Sequence, residues 1–123
     1  MNDRELLELA AKAVGYDTSH HWNKERLGLT PPVDSLCIPG VRTAWNPLKN
    51  DEDAFRLAVA LKMDLMQYDC DEDLKHTEPY ACADYLFDEP YETNGGDACA
   101  ATRRAIVRAA AHIELERLEK YRA

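Results

Sequence analysis

The chain has 123 residues, with 23 Asp and Glu against 15 Lys and Arg and a net charge of −8. That length is one domain's worth, residues 1–123, and is enough to bury a core without disulfide or metal staples. The acidic balance excludes a globally basic, phosphate-gripping surface, and with it direct binding to nucleic acid.

A first helix is predicted over Asp3–Val14, because Leu6, Leu9, Ala10, Ala13 and Val14 recur at helical spacing on one face. Asn2 is placed to cap it, with Glu5 three residues on, and Gly15 to stop it. Residues Tyr16–Trp45 carry no sustained period and hold His20-His21-Trp22, Pro31-Pro32 and Pro39-Gly40. This stretch is expected to be a functional loop or to hold a short strand near Leu36–Ile38, and Pro32 and Pro39 argue against a central strand there. Trp45-Asn46-Pro47-Leu48 reads as a structural joint: Trp45 packs its ring, and Asn46, extended before Pro47, bonds across the turn.

A second helix follows, capped by Asn50 or Asp51, with Asp51, Glu52 and Asp53 at the positive end of its dipole. Ala54, Leu57, Ala58 and Leu61 make its buried stripe, Phe55 and Val59 widen it, and the helix ends near Lys62. Met63–Asp69 and Tyr80–Phe87 are predicted strands, paired as an antiparallel hairpin across a polar connection. In the second strand, Ala81, Ala83, Tyr85 and Phe87 fall on one face and Tyr80, Cys82, Asp84 and Leu86 on the other. Asn94-Gly95-Gly96 breaks the chain, and Asp97 caps the last helix, Ala98 to about Arg122. Ile106, Ala109, Ala110 and Ile113 give that helix a narrow, alanine-lined face for close packing. The fold class is therefore α+β, a small antiparallel sheet covered by helices in the order α–loop–α–β–β–α. Two strands alone are marginal, so a third strand from Tyr16–Trp45, or sheet pairing across a dimer, is expected.

Three segments carry a family resemblance. They are Asn2–Ala13, Trp45–Val59 with its Trp-Asn-Pro-Leu start, and the alanine- and arginine-rich run Ala98–Ala111. In combination they resemble the phage ABA sandwich domain, a group of small phage and prophage proteins, over roughly half the chain. The resemblance implies an α–β–α sandwich and a phage or prophage origin, and it implies no reaction. The chain departs from the family pattern at Glu52, where a glycine is usual, and Tyr16–Ala44 and Asp69–Gly96 lie outside the likeness.

Four cysteines, Cys37, Cys70, Cys82 and Cys99, form no C-x-x-C pair or zinc-finger spacing and are expected to be buried, inert thiols. With no apolar leader-like run at the start and no membrane-length apolar stretch, a cytoplasmic location in a bacterial host cell is expected. Asp69-Cys70-Asp71-Glu72-Asp73 opens like a calcium loop, but Leu74 stands where such a loop needs glycine and Tyr80 where it needs glutamate. His20 and His21, if in a strand, point to opposite sides and lack further ligands at metal spacing. His112 reads as a helix-face histidine, and His76 falls in the acidic connection, whose neighbours favour its protonated form. No phosphate-loop, dinucleotide, nucleophile-elbow or zinc-protease motif is present, so no catalytic residue, metal or cofactor is assigned. Arg103, Arg104 and Arg108 are expected to pair with the acidic segment that precedes them.

That segment stands out. From Asp64 to Asp97 there are eleven acids and one base, Lys75, a net −10, while the rest of the chain is +2. Tyr68, Tyr80, Tyr85, Phe87 and Tyr91 lie among the carboxylates. Carboxylates spaced on a scaffold imitate the phosphates of a duplex and steer toward basic channels, and the aromatics anchor the contact. Asp69, Asp71, Glu72, Asp73, Glu78, Asp84, Asp88 and Glu89 are the expected partner-binding residues. The partner is expected to be a host protein with a basic nucleic-acid-binding groove, and the chain a non-enzymatic inhibitor of a defence system of the CRISPR or restriction type. A dimeric phage scaffold module is the alternative.

Overall fold

In the computed structural model, residues 1–69 and 78–122 are described. Helix α1 spans Asp3–Ala13, α2 His21–Leu27, α3 Asp51–Ala60 and α4 Ala98–Arg122. Strands β1 (Leu36–Ile38) and β2 (Arg42–Trp45) form an antiparallel hairpin. β3 (Leu65–Tyr68), β4 (Tyr80–Ala83) and β5 (Phe87–Pro90) form an antiparallel sheet in that order. The class is α+β, small antiparallel sheets against helices, as expected.

The three helices legible in the sequence start at their predicted caps. Asn2 Oδ1 accepts the Glu5 N–H at 2.8 Å, Asn50 Oδ1 that of Asp53 at 2.9 Å, and Asp97 Oδ1 those of Cys99 and Ala100 at 2.8 and 3.1 Å. Each bond satisfies a donor the helix itself leaves open. α3 ends in a tight reversal in which Lys62, at φ +55°, takes the left-handed position usually given to glycine, and Met63 N–H returns to Ala58 C=O at 3.0 Å.

α4 is the spine, and its two flanks serve two cores. Ile106, Val107, Ala110 and Ala111 pack with Leu6, Leu7, Leu36, Ile38, Trp45 and Leu57 from α1, the β1–β2 hairpin and α3. Ala105 and Ala109, one turn apart, pack on Ala83 of β4, with Met63 and Phe87 beside them. Alanines on both partners let helix and sheet approach closely. At 1.5 Å per residue the 25-residue helix is about 37 Å long. Its last two turns carry the exposed Leu115, Leu118 and Tyr121.

The region expected to be a functional loop or to hold a short strand near Leu36–Ile38 has that strand as β1, together with α2 and β2. Asn23 is the reason it is ordered: its side-chain amide accepts the Cys37 N–H at 2.6 Å and donates to Cys37 C=O at 3.0 Å and Thr18 C=O at 3.1 Å. One side chain thus acts as a strand partner for β1. Buried Arg4 of α1 donates to Asn23 C=O at 2.5 Å and pairs with Glu8 at 3.0 Å. Pro39-Gly40 makes the turn between β1 and β2, with Gly40 at φ +80° and Val41 N–H on Ile38 C=O at 3.0 Å, the geometry of a type II turn. The Trp45 joint is as predicted. Trp45 is buried with its ring edge-to-face on Tyr16 at 5.7 Å, and Asn46 Oδ1 accepts the Leu48 N–H at 3.0 Å.

Three expectations are corrected. The third strand of the sheet is β5, not a strand from Tyr16–Trp45, where β1 and β2 form a separate two-stranded sheet. Tyr80–Phe87 is two strands, not one: Asp84 and Tyr85 both have positive φ, +51° and +61°, and Leu86 N–H closes the turn on Ala83 C=O at 3.2 Å. Ala81, Ala83 and Phe87 do share the face toward α4, but Tyr85 and Leu86 stand exposed at the hairpin tip. Phe55 and Val59 do not widen the buried stripe of α3; they are 65% and 60% exposed on its outer side. Leu57 and Ala58 already fill the space against α4.

Candidate functional site

The predicted acidic residues divide between the two faces of the three-stranded sheet. In the register Gln67↔Ala81↔Glu89, side chains point toward α4, and in Met66↔Cys82↔Asp88 they point away. Glu89 is accordingly drawn inward, where it pairs with Arg108 and accepts from Asn94 Nδ2 at 3.3 Å. Asp84 is committed to the backbone: its Oδ1 takes the Asp64 N–H at 2.9 Å and its own N–H bonds Asp64 C=O at 2.8 Å. Asp88 lies on the outer face beside Cys82. Burial, then the Asp88 carboxylate, pushes the Cys82 thiol up to about 11, so it stays protonated and unreactive at neutral pH. Asp69 is exposed at the end of β3 and Glu78 half-buried just before β4. Between these two acids the stacked rings of Tyr68 and Tyr80 lie 4.9 Å apart. Asp71, Glu72, Asp73, Cys70 and His76 fall outside the described residues.

The arginines divide as well. Among the described residues Arg108 pairs with the acidic segment, through Glu89; Arg103 binds Asp51 at 2.6 Å and Leu48 C=O at 2.9 Å, and Arg104 binds Asp3 at 3.0 Å. These last two ion pairs staple α4 to α3 and α1. His20 and His21 lie at the start of a helix, not in a strand. The His20 ring accepts the Trp22 N–H at 3.2 Å and stacks on His21 at 4.5 Å. His112 lies on the exposed face of α4, with Glu116 at 2.9 Å. Among the described residues no group of three His, Cys, Asp or Glu converges on a point that would hold a metal. Nor, among them, is any helix long and apolar enough to cross a membrane.

The sequence reading missed a groove. Between α3 and β3, over the first turns of α4, lies a cavity of about 410 Å³. Ala54 and Phe55 form one wall, Leu65 and Gln67 the other, and Cys99 and Ile106 lie on α4 between them. Cys37 and Cys82 are buried as expected, but Cys99 is exposed in this groove. A polar clasp closes one end: the Tyr91 hydroxyl donates to Gln67 Oε1, and Gln67 Nε2 donates to the Thr102 hydroxyl at 2.8 Å. The Asp51–Arg103 pair lies at the rim. A mostly apolar lining with a few fixed hydroxyl and amide groups suits the binding of a side chain or small apolar group. The only trace of it in the sequence is the surplus of apolar residues on α3, where Phe55 and Val59 extend past the buried stripe.

No family model matches the chain, and no curated protein or solved structure matches it either, so the likeness to the phage ABA sandwich domain rests on the motifs quoted above.

Proposed function

We propose that this chain is a phage- or prophage-encoded accessory protein that acts without catalysis, by binding and inhibiting a host protein with a basic nucleic-acid groove. The target class is a defence system of the CRISPR or restriction type, met in the host cytoplasm. The observation that carries the reading is the concentration of charge: net −10 over 64–97 against +2 elsewhere. Asp69 and Glu78 flank the stacked Tyr68–Tyr80 pair at one end of the sheet. The chain between them adds Asp71, Glu72 and Asp73 against a single Lys75. Such a surface attracts a basic groove over long range and offers aromatic rings to anchor the encounter. Asp84 and Glu89 serve that surface less directly, since both hold their own scaffold. Reversing Asp71, Glu72 and Asp73 to lysine tests the proposal. Protection of phage in cells carrying the target system is expected to fall with the fold unchanged, and unchanged protection removes the acidic end from the mechanism.

A second reading, a dimeric scaffold module, is favoured by one observation. Leu115, Leu118 and Tyr121 are exposed on the projecting end of α4. Light scattering at micromolar concentration decides it: a dimer lost in Leu115→Glu/Leu118→Glu supports it, and a monomer counts against it.

A further inference from the structure

The register of the three-stranded sheet shows which backbone groups face its open edge. Asp84 N–H bonds Asp64 C=O at 2.8 Å, and this pair continues the register Leu65↔Ala83, Met66↔Cys82. Bonded pairs alternate in an antiparallel ladder, so Met66 and Tyr68 exchange bonds with β4. Leu65 and Gln67 therefore turn their N–H and C=O groups away from β4, toward the edge. Among the described residues nothing bonds to those four groups. The side chains of the same two residues line the groove. The unpaired edge and the apolar cavity thus adjoin, with α3 as the far wall and α4 as the floor.

We propose that this groove is the receptor for a fourth strand, supplied by an extended segment of a partner protein that is apolar at alternate positions and basic at both ends. The inference names the chemistry of the partner segment and rests on the binding reading above for the existence of a basic partner. Main-chain bonds to Leu65 and Gln67 hold the segment in register, and its inward side chains enter the cavity against Phe55 and Ile106. The charges choose the occupant. Exposed Asp64 and Asp69 stand at the two ends of the edge, while the Asp51–Arg103 pair at the rim is neutral. A second copy pairing antiparallel through the edge-facing groups opposes Leu65 to Gln67, which brings Asp64 of one copy next to Asp69 of the other at each end, where like charges repel. Lysine or arginine at both ends of the incoming strand meets a carboxylate at each.

The test titrates the ¹⁵N-labelled full chain with a capped peptide, Lys-Ile-Thr-Val-Lys. Expected are shifts of the Leu65 and Gln67 amide signals and slowed hydrogen exchange at both. Glutamate in place of the two lysines, or N-methylation of alternate peptide amides, is expected to weaken binding by about tenfold or more. Phe55→Asp removes one wall, and Cys99→Trp fills the cavity from an exposed position; both are expected to abolish the shifts while the spectrum stays folded. Three results overturn the proposal. One is no response at Leu65 and Gln67 to millimolar peptide. The second is equal binding of the methylated or acidic peptides. The third is a concentration-dependent protection of the two amides without peptide, which identifies the occupant as a second copy. None of these depends on Asp71, Glu72 or Asp73, so the groove fails or stands separately from the charge-reversal experiment.

Discussion

On one side of α4 the chain packs tryptophan, leucine and isoleucine; on the other it packs alanine against alanine. The first side buries Trp45, Leu7, Leu36, Ile38 and Leu57 almost completely. The second has a core of Ala83, Ala105 and Ala109, and around it Leu65, Tyr68, Tyr85 and Leu86 remain exposed. Apolar area removed from water is the main source of stability, so the first side holds the fold and the second leaves apolar surface to be used. The described acidic residues of β3–β5 belong to the second side, and the groove opens between the two, with α3 on one wall and β3 on the other.

The difference between the two sides is largest at Trp45. Its removal as Trp45→Ala is expected to cost about 3–5 kcal/mol, because the ring is buried against Tyr16 and little can collapse into its place. Urea unfolding measures it. A loss no larger than that of an exposed side chain would mean the two sides do not differ as described.

Asn23→Ala comes next. It leaves the N–H and C=O of Cys37 without the partner that α2 supplies, at an expected cost of about 1–3 kcal/mol. The effect is local, so the Cys37 amide is expected to exchange faster while amides of β4 keep their protection. Equal loosening on both sides would show a single cooperative unit instead of two.

Smaller, and dependent on pH, is Glu114. It is buried on α4 with both carboxylate oxygens held by Arg117, which keeps its pKa below the ordinary 4.5. A depressed folded-state pKa adds stability that is present above the ordinary carboxylate value and is lost as pH falls through the folded one. The stability gap between the native chain and Glu114→Gln is therefore expected to be full at neutral pH and to narrow as pH drops below the carboxylate range. A gap independent of pH refutes the ion pair as its origin.

The two sides also differ in how far the sequence reveals them. Local signals were enough for α1, α3 and α4: apolar residues at helical spacing, and caps at Asn2, Asn50 and Asp97 that make the bonds expected of them. α2 has only seven residues and buries only Asn23, so it has no stripe to read; its place depends on a bond to Cys37, fourteen residues away. The Pro39-Gly40 turn is legible in principle, since proline and then glycine suit the two central positions of a type II turn. The β4–β5 reversal was hidden for a different reason. Strand alternation runs straight through it, and the turn places Asp84 and Tyr85 in left-handed backbone where glycine or asparagine would have marked it. The groove has no local signal, because it arises only when α3 and β3 are set side by side over α4.

The smallest expected effect is the one that separates surface from scaffold most sharply. Phe55 and Leu57 are two residues apart on α3, one 65% and the other 1% exposed. Phe55→Ser removes a larger side chain than Leu57→Ala does, yet it is expected to change stability by no more than about 0.5 kcal/mol, since the ring is already in water and the two residue types have similar helix propensity. Leu57→Ala is expected to cost about 2–5 kcal/mol, because it opens a cavity against Val107 and Ala110. Thermal unfolding of both variants gives the ratio. If Phe55→Ser destabilised the chain as much as Leu57→Ala, the ring would be part of the core, and the wall of the groove would be scaffold instead of binding surface.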